Sequence, residues 1–137
     1  MDDAVAQFLD TIPVGVLATI RKDGRPRQST VYFLRDGDRI LMSTESKRGK
    51  ARDVERTGYA SMCVQGVEKP FPCVTLEGSA RILREGVGEP TARIVARILD
   101  APVGEAQTDE ALAAVDRVIL ELTVERTYGA SYLEAKT

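Results

Sequence analysis

The residues best suited to chemistry stand together in Ser43-Thr44-Glu45-Ser46-Lys47-Arg48-Gly49-Lys50-Ala51-Arg52. This segment reads as the end of a strand running into the start of a helix. Backbone N–H groups and the positive end of the helix dipole converge at such a start. The hydroxyls of Ser43, Thr44 and Ser46 and the charges of Lys47, Arg48 and Lys50 complete a receptor that suits phosphate. Local energetics agree, because Arg48, Arg52 and Arg56 recur at a four-residue spacing that sets like charges side by side on a helix. Gly49 costs a further ~1 kcal/mol relative to alanine inside a helix. A bound anion would justify both features; the alternative is a solvated surface helix partly neutralised by Asp53 and Glu55. Arg27, Ser29 and Thr30 fall on a preceding strand. They either offer hydrogen bonds to a polar chain or ring edge beyond the phosphate or form a solvated strand face.

What the sequence lacks narrows the chemistry further. It contains no histidine and only two cysteines, Cys63 and Cys73, so a zinc site or a Ser-His or Cys-His nucleophile is close to excluded. Redox or transfer chemistry here would need a cofactor. Both cysteines sit in strand-like stretches and read as reduced core thiols, which places the chain in a reducing compartment, most simply the cytoplasm. The net charge of −2 conceals an asymmetry: Arg21 to Arg56 holds 11 Lys/Arg against 6 Asp/Glu, which marks that segment as the anion-binding part. A pI near 5.3 and few aromatic residues make nucleic acid a poor partner. No apolar run approaches the ~20 residues of a membrane-spanning helix.

The elements that must position these residues follow from periodicity. At 137 residues the chain fits one domain, residues 1–137. Asp2 or Asp3 caps a short helix to about Asp10, which Pro13 ends. Val14 to Arg21 alternates as a strand, Asp23-Gly24 makes a hairpin turn, and a second strand runs from Arg25 to Arg35, polar on both faces at one end. After a turn at Asp36-Gly37, Arg39 to Thr44 forms a third strand. A helix spans Ser46 to Thr57, and Tyr59 to Gly66 returns to strand. Phe71 to Leu83 and Arg117 to Tyr128 are longer alternating strands. Between them lie a helix with Pro90 near its start and Ile94, Val95, Ile98 and Leu99 at helical spacing, and a shorter one from Asp109 to Val115. Six strands joined first by hairpins, with helices at the edges, predict an antiparallel sheet curled into a barrel. Faces rich in Gly and Ala leave little bulk for a monomer core, a hint of dimerisation.

Taken together, Val14-Gly15-Val16-Leu17-Ala18-Thr19-Ile20, Asp23-Gly24-Arg25-Pro26, the Ser43 to Arg52 segment, Leu76-Glu77-Gly78-Ser79-Ala80-Arg81 and Thr127-Tyr128-Gly129 resemble the FMN-binding split-barrel superfamily of pyridoxamine 5'-phosphate oxidase-like proteins. The resemblance is strongest to its deazaflavin (coenzyme F420)-dependent reductases. It implies a mainly β fold with peripheral helices, a six-stranded antiparallel split β-barrel, and a homodimer with cofactor at the subunit interface. Arg48 and Lys50, with Lys47 nearby, would hold the cofactor phosphate, and Ser43 and Thr44 would lie close to it. Arg27, Ser29, Thr30 and Val31 would flank the ring and ribityl chain. Phe71, Pro72, Cys73 and Tyr128 would come from the partner subunit. The implied activity is hydride transfer from reduced F420 to a conjugated small organic substrate, with protonation from solvent or Tyr32. The alternatives are an FMN-dependent oxidoreductase and a non-catalytic flavin, haem or tetrapyrrole carrier. The oxidases of this superfamily use an Arg-x-His motif for pyridoxamine phosphate, which a chain without histidine cannot supply.

Overall fold

The computed structural model describes residues 1–129 and Leu133. In chain order the elements are α1 (Asp3–Thr11), β1 (Val14–Ile20), β2 (Pro26–Tyr32), β3 (Leu34–Asp36), β4 (Arg39–Glu45), α2 (Gly49–Thr57), β5 (Tyr59–Gln65), β6 (Cys73–Leu83), α3 (Gly88–Leu99), α4 (Asp109–Ala114), β7 (Arg117–Thr123) and β8 (Arg126–Tyr128). All strand pairs are antiparallel, in the order β2-β1-β5-β6-β7-β4-β3, with β8 beside β6. Among the described residues the sheet therefore has eight strands where the periodicity predicts six. The difference arises at two breaks: Phe33 interrupts the second predicted strand, and Val124-Glu125 interrupts the last. Phe33 is fully buried, so the chain bends to seat its ring in the core, and β3 then turns away to pair with β4.

The result is a half-barrel. Leu17 from β1, Met62 and Val64 from β5, Val74 and Leu76 from β6, and Leu120 and Leu122 from β7 fill its interior together with Phe33, Ile40 and Met42. A side chain at Gly15 would meet Met62 Sδ at 3.0 Å, so glycine there lets β5 pack closely on β1. A second, smaller core joins α3 and α4 to the outward face of β4 and β7 through Leu41, Val87, Ile94, Leu112 and Ile119. β6 connects the two halves, pairing with β5 over Cys73 to Ser79 and with β7 over Ala80 to Leu83. At the change of partner sits Gly78, where any Cβ would collide with the Thr123 carbonyl oxygen.

Helix boundaries explain themselves locally. Asp2 caps α1, its carboxylate accepting from the Val5 N–H at 2.9 Å, as the sequence predicts. α2 begins at Gly49, three residues later than the predicted Ser46, because Ser46 and Lys47 are drawn into a turn fastened to Asp116. It ends at Gly58 in the left-handed conformation. α3 is held down by Arg97, whose guanidinium donates to the carbonyls of Leu9, Asp10 and Ile12 and lies 5.4 Å from the Phe33 ring centroid. Arg97 thus ties α3 to the carboxyl end of α1.

Candidate functional site

The sheet order leaves β2 at one edge with β4 as its neighbour across an open split. Nothing in the ladder fills that split. A cavity of about 520 Å³ occupies it, bounded by Thr30, Val31 and Tyr32 of β2, Ser43 of β4, Lys50 of α2 and Arg117 at the start of β7. Its remaining wall is mainly apolar, from Ile94, Val95 and Ile98 of α3, Leu112 of α4 and Val115 just after it, with Thr91 and Gln107 as its polar members. One polar, cationic side thus faces one apolar side, an arrangement suited to a planar ring carrying a polar tail.

Of the residues singled out from the sequence, Thr30, Val31, Ser43 and Lys50 meet in this cavity. Lys50 is half-buried, and burial, reinforced by the Arg48 charge, pushes its ammonium below the ordinary lysine range. No carboxylate pairs with it among the described residues, so it is a desolvated cation without a counter-ion. Ser29 faces the barrel interior, and its hydroxyl oxygen is buried without a hydrogen-bond partner. Such an orphan is costly unless a ligand or water satisfies it.

Other predicted residues are placed differently. Lys47 and Arg48 are exposed, and both are drawn to Glu45, at 3.1 Å and 3.2 Å. Thr44 is buried inside the half-barrel and does not line the cavity. Arg27 turns toward α2: its Nε donates to Asp53 at 2.8 Å, and its guanidinium lies over Gly49, where a Cβ would collide with it. Cys73 and Tyr128, paired with Gln65 and Thr75, lie on β6 and β8, which β1 and β5 separate from β2, and Phe71 and Pro72 precede β6. Within one chain none of these four reaches the cavity.

The start of α2 is electrostatically unusual. Its cap residue is Arg48, which makes no side-chain capping bond, and its first turn holds no acid. The N–H groups of Gly49, Lys50 and Ala51 have no acceptor among the described residues, and the first intrahelical bond runs from the Arg52 N–H to the Arg48 carbonyl. Three free donors and a dipole end therefore stand at the start of the helix that carries Lys50 in its first turn.

Sequence reasoning missed the α3 and α4 wall. Ile94, Val95, Ile98 and Leu99 mark α3 by their helical spacing, yet of the four only Ile94 is buried, and Val95 and Ile98 remain 45% and 40% exposed. A stripe two residues wider than α3's contact with the sheet was the available signal.

Residues 1–130 match the family model described as pyridoxamine 5'-phosphate oxidase. Among solved structures, the conserved hypothetical protein Rv2991 from Mycobacterium tuberculosis is 26% identical, with TM-score 0.74 over 93% of this chain and 82% of that one. An F420 reductase is also 26% identical, with TM-score 0.73 over 90% of this chain and 94% of its own. The FAD and heme binding protein from Mycobacterium smegmatis, 18% identical, shares the fold at TM-score 0.76, covering 99% of this chain and 78% of that one.

Proposed function

Because the chain belongs to the pyridoxamine 5'-phosphate oxidase family, we propose that it is an F420-dependent oxidoreductase, transferring hydride from the reduced deazaflavin to a conjugated small organic substrate. The carrying observation is the unpaired Lys50 beside the uncapped start of α2, at the polar end of a cavity whose other wall is apolar. The residues fit a phosphate-bearing flavin-like cofactor. Lys50 and the free N–H groups of α2 would hold the phosphate, with Ser43 and Thr30 donating to the chain beside it. When bound, the cofactor supplies the hydride. The protein's own contribution is orientation: Ile94, Val95 and Ile98 exclude water from one side, and the anchored phosphate fixes the ring's reach. Tyr32 lines the cavity, and its hydroxyl is the side-chain donor assigned to protonation, with solvent as the other source.

We propose further that two copies share the site. The outward face of β1, β2, β5, β6 and β8 aligns Thr30, Val16, Cys63, Thr75 and Tyr128 in one register row and adds exposed Ile20, Tyr32 and Tyr59. Its charges are few, and Glu77 and Arg126 pair with each other at 3.7 Å. A second copy packed there would cover this apolar face and bring its own Phe71, Pro72, Cys73 and Tyr128 toward the cavity. Two unpaired thiols, at Cys63 and Cys73, accord with a cytoplasmic location.

FMN is the second reading for the cofactor, since Lys50 and the α2 start answer to phosphate and not to the ring. Parallel spectroscopic titrations with F420, FMN and haemin test the assignment. Tight binding of F420 with weaker FMN upholds it, preference for FMN replaces the cofactor, and binding of haemin alone ends the oxidoreductase reading.

A further inference from the structure

Asp53 is a carboxylate on α2 with 2% of its surface exposed. It accepts from Thr19 Oγ1 of β1 at 2.8 Å, from Arg27 Nε of β2 at 2.8 Å and from Arg56 Nη2 on its own helix at 3.2 Å. Burial acts to raise its pKa, and the bonds from Arg27, Thr19 and Arg56 more than offset this, leaving it below the ordinary aspartate range. Arg27 spends only Nε on this bond; Nη1 and Nη2 have no hydrogen-bond partner among the described residues. Its guanidinium rests on Gly49, the first residue of α2, where glycine alone leaves room for it. A planar donor group is thus held, two nitrogens free, against the N–H groups that await an anion.

We infer that Asp53 is the positioning residue of this anion site, setting Arg27 over Gly49 so that its free Nη groups and the first turn of α2 grip one phosphate from two sides. The inference rests on the reading of the α2 start as the cofactor's phosphate site. Arg27 is the contacting residue, and Asp53 acts through it. Fork geometry matters here, since a guanidinium fixed through Nε presents its two Nη donors in a set direction that a lysine cannot reproduce.

Electrostatics alone and positioning predict opposite signs. Replacing Asp53 by asparagine removes a negative charge close to the site, which by Coulomb attraction should tighten anion binding. If Asp53 positions Arg27, the same change weakens it. The probes are FMN against riboflavin, which differ only in the phosphate, and F420 against its deazariboflavin core, which lacks the phosphate together with the acidic tail attached through it. Asp53→Asn and Gly49→Ala should each weaken the phosphate-bearing member by about tenfold or more while shifting the phosphate-free member less than about twofold. Arg27→Lys, which keeps the charge, should fail to bind like wild type. Thr19→Val removes one bond to Asp53 but leaves the Arg27 pair, and should retain affinity. Unchanged or tighter phosphate binding by Asp53→Asn overturns the inference, as does an equal loss in Thr19→Val, which would mark Asp53 as merely structural. If Asp53→Asn does not fold, Gly49→Ala carries the same test without a charge change. Should wild type itself fail to prefer the phosphate-bearing member of either pair, the phosphate reading of α2 falls, an outcome separate from failure of Asp53 as its positioner.

Discussion

Replacing Lys50 and Arg48 singly by alanine separates two cations that sequence alone treats as equals. Lys50 lines the cavity, half-buried and without a carboxylate partner, whereas the Arg48 side chain is 63% exposed and drawn to Glu45. An anion at the α2 start would meet Lys50 as a desolvated partner, and a hydrogen bond to a charged group in such a place contributes roughly 1.5–3 kcal/mol. That converts to a loss of about 10- to 150-fold in cofactor affinity for Lys50→Ala. Arg48 must leave Glu45 to help, and exposed pairs are screened, so Arg48→Ala should cost under about fivefold. Calorimetric titration with F420 and FMN at low and high salt reads both numbers. The protonation sign supplies a second check. Because Lys50 has a lowered pKa in the folded chain, its charged form is penalised below that pKa, and the penalty is released as pH rises through the window just below 10.5. The ligand-free protein should therefore gain stability on this alkaline limb while anion affinity falls, and Lys50→Met should flatten both trends. Equal losses for the two alanine variants, or a larger one for Arg48, would refute the reasoning.

Other consequences concern the frame. Gly78→Ala should destabilise by about 3 kcal/mol, the upper end for overpacking, because the colliding atom is the Thr123 backbone oxygen and cannot rotate away; urea denaturation measures it. Arg97→Met removes the donors to Leu9, Asp10 and Ile12, so amide hydrogen exchange should quicken across α3 while β5 and β6 stay protected. Val16→Glu places a charge at the centre of the outward sheet face; sedimentation should show a smaller species and cofactor binding should weaken together, whereas a dimer that survives unchanged would remove that face from the interface.

Much of the fold was legible because alternation with period two and capping chemistry are local. The strands at Val14–Ile20, Tyr59–Gln65 and Cys73–Leu83 follow the predicted spans within two residues, and Asp2 caps its helix as its side chain dictates. The strand count was not legible, since the breaks at Phe33 and at Val124-Glu125 are set by where a ring must be buried and where β6 must change partners. The start of α2 moved to Gly49 for a similar reason: Asp116, 70 residues on from Ser46, claims the turn before it.

The candidate site divides along the same line. Composition by itself carried the expectation that redox chemistry here would be borrowed, because no histidine is present, and the charge run from Arg21 to Arg56 pointed to the strand-to-helix junction as the proposed anion receptor. Which cations serve it was a tertiary decision. Lys47 and Arg48 are taken up by Glu45, Arg27 is held through Nε by Asp53 and lies over Gly49, and Lys50 alone among the predicted cations lines the cavity. Residue types fix which bonds a side chain can make. Only the folded chain decides which partner is near enough to claim it and which charge is left for a ligand.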